Sequence, residues 1–224
     1  MSKLNFYTVD AEYVGFLQQA EYQQRGFSRV PNVDYGLQQK PKFLCGIVLQ
    51  VDAIDYYVPV SSYKQQKPDN FLIKASNGKI VGSLRFNYMF PVPRGLVAER
   101  SIDTEPDQAY RALLSQELRY CIDNQDTICR LAARTYKRVC LGKDKGLVAN
   151  SCDFRFLEQK CQEYILAEEK TEAAQARPQD FQEQTTPEAA RPNHKASVRD
   201  RLAQLRQDTL RGDQLPERNE RDPR

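Results

Sequence analysis

Histidine is almost missing from this chain of 224 residues, which has one, His194. A histidine-bearing zinc site or a triad built on imidazole therefore has nearly no raw material. The six cysteines, Cys45, Cys121, Cys129, Cys140, Cys152 and Cys161, form no CxxC pair. Most fall at positions that read as helix core, so buried free thiols in a reducing compartment are expected. Long apolar runs are missing too: residues 43–51 (FLCGIVLQV) contain a Gln and fall far short of the roughly 20 residues of a membrane helix. The opening MSKLNFYTVDAEY alternates apolar and polar residues where a secretory signal would be continuously apolar, so the cytoplasm is the expected location. Carboxylates do not cluster either, and no metal ion or other cofactor is expected.

Neither sign of charge is in large excess, the net value being +3. Residues 171–224 hold ten basic and ten acidic side chains, so the excess lies in the first 170. That is too little to mark a nucleic-acid partner by itself, and local clustering has to decide.

Residues 4–9 alternate like a strand, and Asp10 is placed to cap a helix in which Tyr13, Phe16 and Leu17 recur at helical spacing. Residues 25–42 carry Gly, Pro and Asn without a period and read as a long loop. Residues 43–51 and 56–60 read as a hairpin about 52–55, and 71–74 and 80–90 as further strands around the Asn77-Gly78 turn, stopped by Pro91 and Pro93. Beyond Pro106 the period becomes helical. One stripe runs from Tyr110 to Ile122, a second from Ile128 to Val139 after a break near Asn124, and a third from Phe154 to Ile165 after the Gly142–Gly146 stop. The expected class is α+β, a twisted antiparallel sheet with packed helices. Residues 1–170 read as one domain. Residues 171–224 form a polar, charged extension, too poor in apolar residues to fold alone and expected to be disordered apart from a solvated helix over 198–211. His194 lies in that extension.

Residues 59–64 read PVSSYK. A strand ending in Ser61, Ser62, Tyr63 and Lys64 brings two hydroxyls and an ammonium to the edge of the sheet, though alternation requires a loop to make them converge. Alone, the stretch reads better as an ordinary turn with a solvated lysine.

A wider series changes that balance. NFYTVDAEYVGFL, VPN at 30–32, KPKFLCGIVLQV, PVSSYK, GSLRFNYMFPVP, AYRALLSQELRY, LGKDKG and CDFRFLEQKCQEY resemble, in order and spacing, the ToxN/AbiQ family, endoribonuclease toxins of type III toxin–antitoxin systems. The resemblance runs from about Leu4 to Tyr164 and stops before the extension. It implies a Kid/MazF-like toxin core, and a ribonuclease inhibited by a small repeated antitoxin RNA that it also processes, within a closed protein–RNA complex, in phage abortive infection or element maintenance. The family's strand-end motif of two hydroxyls, a spacer and a lysine falls on Ser61, Ser62, Tyr63 and Lys64. Its helix tyrosine falls on Tyr13, its lysine before the central strand on Lys42, and its aromatic on the first long helix on Tyr120.

The resemblance thus implies Ser61, Ser62 and Lys64 as catalytic residues, with Tyr13, Lys42 and Tyr120 as RNA-binding residues. Tyr63 joins the RNA-binding set because its ring adds a stacking surface. It stands where relatives can carry Pro, which is expected to leave the loop freer. Cleavage through the RNA's own 2′-hydroxyl needs a base, a cation for the phosphate and an acid for the 5′-oxygen, but no metal, and ends in a 2′,3′-cyclic phosphate and a 5′-hydroxyl. Packing competes with these roles, since Tyr13 and Tyr120 lie on or beside apolar helical stripes. The rival readings are an RNA-binding module without turnover, a scaffold recruiting through its extension, and a Kid/MazF-type toxin neutralised by a protein.

Overall fold

The computed structural model describes residues 3–33 and 42–175, with side chains as far as Thr171. The expected helix at 198–211, most of the extension and residues 34–41 of the long loop lie outside the described residues. β1 (Asn5–Val9) runs straight into α1 (Ala11–Arg25). Asp10 caps that helix: its carboxylate accepts the Tyr13 amide at 2.9 Å, and Gly26, at a φ of 74°, ends it.

β2 (Leu44–Val51) and β3 (Ile54–Ser61) form the expected hairpin. Its tip is tighter than 52–55, because Asp52 and Ala53 both take positive φ, 47° and 67°, the geometry whose twist suits a two-residue turn. β4 (Asn70–Lys74) and β5 (Ile80–Arg85) follow. The expected strand over 80–90 is broken. Residues 86–88 make a single 3-10 turn, closed by the Met89 amide on the Phe86 carbonyl at 3.2 Å, before β6 (Phe90–Pro91) and β7 (Val97–Glu99). Phe86, Met89 and Phe90 are all buried, which a regularly alternating strand with one solvated face would not allow.

The sheet order is β4-β5-β3-β2-β1-β7, antiparallel throughout, with β6 also paired to β3. β3 thus shares one edge between two partners. β6 takes Tyr56 and Tyr57, whereas β5 takes Val60 and Ser61. Residues Asp55–Pro59 are buried on both faces. Tyr56 points towards the helices, its hydroxyl donating to Glu158 at 2.8 Å, and Tyr57 packs on the other face, edge-on to Tyr7 with ring centroids 5.3 Å apart.

The helices are α2 (Gln108–Asp123), α3 (Gln125–Leu141), the short α4 (Lys145–Ala149) and α5 (Phe154–Gln175). Asp107 caps α2 through the amides of Ala109 and Tyr110, and Gly142 stops α3 at a φ of 69°. α2 packs on β4, α3 on β2, and α5 on α1 and β6. The α+β expectation holds as an antiparallel sheet with packed helices. α5 continues to Gln175, past the expected border at 170. Cys45, Cys121, Cys152 and Cys161 are buried and all six thiols are free, although Cys45 sits on β2 and Cys129 and Cys140 are only partly covered. Among the described residues no helix is long and apolar enough to cross a membrane.

Candidate active site and nucleic-acid interface

The end of β3 gathers the expected cluster by register. Leu44 pairs with Pro59, and the Val60 amide continues the ladder to the Phe43 carbonyl at 3.2 Å. One residue further along the two segments stand Lys42 and Ser61. On the other edge Ser61 pairs with Ser83 of β5. Lys42, half-buried, has its pKa lowered by desolvation, which makes it a cation that gains from meeting an anion.

The loop after β3 is pinned rather than loose. The Ser61 hydroxyl accepts the Tyr63 amide at 3.2 Å, and the buried Ser83 hydroxyl donates to the Tyr63 carbonyl at 2.6 Å. Beyond it, the buried Asn70 side chain donates to the Gln65 carbonyl at 2.8 Å and accepts from the Lys67 amide and Gln66 Nε2, each at 2.9 Å. Tyr63 therefore does not free the loop, because its own main chain is held at both ends. Ser62 and Lys64, between these fastenings, are exposed. Alternation no longer applies past the strand end, so Ser62 and Lys64 are not held to the face of the sheet opposite Ser61.

Tyr63 lays its ring 5.2 Å from the guanidinium of Arg85, which lies 4.2 Å from the Tyr88 ring. Arg85 and Tyr88 are part of the site's surface that the sequence pattern did not single out. A groove of about 700 Å³ opens beside the loop, lined by Lys67, Phe71, Lys74, Tyr120 and Arg134 among others. Tyr120 is half-buried there, 5.8 Å from Phe71 between centroids. Cations interleaved with aromatic faces suit a single strand of nucleic acid, with phosphates on the former and bases on the latter.

Tyr13 is not at this site. Its ring has no exposed surface, its hydroxyl donates to the Pro91 carbonyl at 2.9 Å, and it packs edge-on to Tyr164. Pro91 pairs with Tyr56, five residues and so about 16 Å along β3 from Ser61. A ring enclosed there has no face to give a base, and burial raises its hydroxyl pKa far above the usual range. The stacking role expected of Tyr13 is replaced by a core role.

The family model for toxin ToxN of type III toxin–antitoxin systems matches residues 5–162. The chain belongs to the ToxN toxin family. An endoribonuclease ToxN from Bacillus thuringiensis subsp. kurstaki is 30% identical over 184 residues, 77% of this chain and 90% of the relative. One from Pectobacterium atrosepticum is 25% identical over 178 residues, covering 75% and 98%. A solved structure of a type III toxin selectively inhibited by a non-coding RNA pseudoknot superposes with a TM-score of 0.64 at 27% identity, covering 73% of this chain and 98% of that one.

Every residue of the cluster and of the groove lies inside the matched ToxN segment. One further residue of this segment meets the cluster, and the sequence pattern gave no signal for it. Glu117 on α2, one turn before Tyr120, is 6% exposed. A Cβ at Gly82 would stand 2.9 Å from the Ser61 carbonyl oxygen and 3.3 Å from Glu117 Oε1, so glycine at this point is what lets β3, β5 and α2 close together. Burial pushes the Glu117 carboxyl up to about 7, with the Lys64 charge pulling the other way. A second open cleft of about 740 Å³ lies by Lys3, Glu99, Arg100, Arg119 and Asp123, and its mixed charges lack the groove's cationic bias. Among the described residues no group of three or more His, Cys, Asp or Glu side chains is arranged to hold a metal ion.

Proposed function

We propose that this chain is the toxin of a type III system, an endoribonuclease that cuts single-stranded RNA by metal-independent attack of its own 2′-hydroxyl. The products carry 2′,3′-cyclic phosphate and 5′-hydroxyl ends. A repeated antitoxin RNA, which the toxin also processes, holds it inactive in a closed protein–RNA complex in the cytoplasm, and the pair serves phage abortive infection or element maintenance. The family reading extends to a toxin core akin to that of Kid and MazF.

The observation that carries this reading is the convergence of Lys42, Ser61, Ser62 and Lys64 at one end of β3, beside a cationic, aromatic groove. Lys64 neutralises the crowded phosphate as charge builds on its oxygens. Ser62 donates its hydroxyl to a phosphate oxygen. Ser61 does so with the proton that its bond from Tyr63 leaves free. Lys42 holds the RNA backbone from the neighbouring strand. Tyr63 and Tyr120 stack bases, and Arg85 adds a cation whose plane is already set by two rings.

Lys64→Ala and Ser62→Ala remove side chains that face solvent, so the fold stays intact by circular dichroism. Cleavage of single-stranded RNA drops at least about a hundredfold in each, and toxicity on expression disappears. The ends of the wild-type product, probed by phosphatase and kinase labelling, carry cyclic phosphate. Normal cutting by both variants, or 3′-hydroxyl ends, would refute the mechanism.

A further inference from the structure

Most arginines among the described residues direct their N–H groups to the protein's own acceptors. Arg94 donates to Asp55 at 2.6 Å, Arg100 to Glu105 at 2.9 Å and Arg138 to Asp144 at 2.8 Å. Even Arg25, whose guanidinium lies 4.6 Å from the Phe27 ring, donates to Glu21 at 2.8 Å and to the Ser151 carbonyl at 3.0 Å. Arg85 differs. The rings of Tyr63 and Tyr88 hold its guanidinium, yet no acceptor among the described residues meets it. A guanidinium that is fixed in place with its donors unused is ready for a ligand from outside the protein.

The fold determines where those donors lie. On β5, Gly82 turns towards α2 and Leu84 is buried, so Ser83 and Arg85 share the other face of the strand. Ser83 holds the main chain of Tyr63 through its carbonyl at 2.6 Å, and Arg85, two residues on, meets the ring of the same tyrosine. Tyr88 stands on the 86–88 turn. The Phe86 amide ties that turn to the Asp69 carbonyl at 3.0 Å, and Asn87 Nδ2 ties it to the Asn150 carbonyl at 2.6 Å. Both rings are therefore anchored through their own stretches of chain, and the guanidinium over them is ordered before any ligand arrives. Asn70, paired with Arg85 on β4, already has its amide engaged with Gln65 and Lys67 of the loop after β3.

We propose that Arg85 is a further catalytic residue of the ribonuclease site, donating along its edge to both non-bridging oxygens of the phosphodiester that is cut. This rests on the reading of the chain as a ribonuclease. The rings take the flat faces of the guanidinium and leave its edge, a planar fork that matches a phosphate with two parallel hydrogen bonds. A guanine edge also offers two acceptors. Position decides for the phosphate, because the tyrosine that Arg85 touches stands in sequence between Ser62 and Lys64, the groups assigned to that phosphate. The reaction forms the bond from the 2′-oxygen to phosphorus and breaks the bond from phosphorus to the 5′-oxygen, whose electron pair stays on oxygen. The 2′-hydroxyl gives a proton to solvent, and the 5′-oxygen takes one back. Arg85 keeps its charge throughout and exchanges neither proton. Its hold is tightest in the transition state, when the added negative charge lies on the two oxygens it meets. Tyr63 and Tyr88 act on the reaction through Arg85, as positioning residues.

The test is single-turnover cleavage of a randomised single-stranded oligoribonucleotide pool by the full-length wild type, Arg85→Lys and Arg85→Ala, with the cut sites sequenced and folding followed by circular dichroism. Arg85→Lys keeps the charge and loses the fork. It cuts about tenfold or more slowly at saturation, with the half-saturating pool concentration within about twofold of wild type. Arg85→Ala is slower by about a hundredfold or more. Ethylguanidinium, which replaces the atoms that this variant lacks, restores part of its rate when added to the buffer, and ethylammonium does not. The sequences cut stay the same in all three proteins. Arg85→Lys cutting at the wild-type rate overturns the proposal. A base preference that changes at the cut sites marks a base reader and overturns it too. So does a loss of rate in Arg85→Ala that ethylguanidinium leaves untouched, the result of a packing role. Failure of the wild type to cut any member of the pool overturns the ribonuclease reading, and this proposal with it.

Discussion

The amide of Asn70 closes the far end of the loop after β3, with one oxygen taking two donors and its nitrogen reaching the Gln65 carbonyl. Asn70→Ala leaves those groups to find water at a buried spot, a loss of about 1–3 kcal/mol. Thermal unfolding measures it, and the rate of RNA cleavage falls more than RNA binding does, since Lys64 loses its placement and keeps its charge. Glu117 makes a second residue-level prediction. Its folded pKa lies above the ordinary carboxyl value, so the folded state keeps a proton that the unfolded state has lost. Stability therefore falls as pH rises from about 4.5 to about 7 and levels off above. Glu117→Gln flattens that fall, by up to about 3 kcal/mol, and denaturant titrations at pH 5 and pH 8 read it directly. The nearness of Ser61, Ser62, Lys64 and Lys42 was legible because they sit at strand ends, where sequence order and register bring them together. Glu117 and Tyr13 were not. The first looks like any glutamate on a helix until Gly82 of a distant strand closes on it, and the second has the same spacing whether its ring fills a core or meets a base.

At the scale of elements, the β2–β3 hairpin sets the site, because each step of its register moves Lys42 relative to Ser61. That register contains an irregularity. Cys45 pairs with Val58 and Leu49 with Tyr56, so β2 carries extra residues opposite Tyr57. Gly46 lies in the bulge, and a Cβ there would fall 2.2 Å from Tyr57 Cδ1. Gly46→Ala has to displace a buried ring with almost no free surface, which is expected to cost at least about 1–3 kcal/mol. A lowered unfolding midpoint checks it, and the double variant with Tyr57→Leu recovers part of the loss because the smaller side chain vacates the space. Strand and helix periods made most elements readable, and the cap at Asp10 and the stop at Gly142 marked two of their ends. The break after Arg85 was invisible to period, since GSLRFNYMFP is apolar enough for a strand. It becomes a turn because β3 has two neighbours along one edge and the chain must step from one to the other.

For the whole molecule, the net charge of +3 conceals how the charge is arranged. Lys42, Lys64, Lys67, Lys74, Arg85 and Arg134 lie around the β3 end and the groove beside it, while acids elsewhere cancel them in the sum. Counting charge along the chain could not reveal this, because the cations come from loops, strands and α3 and meet only in the fold. If this groove takes up RNA as proposed, it releases counterions in doing so, and affinity falls steeply with salt. If all of these side chains meet phosphates, the logarithm of the binding constant for single-stranded RNA falls with the logarithm of salt concentration at a slope of about −4, each contact adding about 0.7. Binding is measured with Lys64→Ala as the background, so that no RNA is consumed. Adding Lys67→Ala or Lys74→Ala lowers the steepness by about 0.7 each, whereas Tyr120→Leu weakens binding with the slope unchanged, because a stacked base releases no ion. A slope near zero, or lysine variants that leave it untouched, would move the RNA path away from this groove.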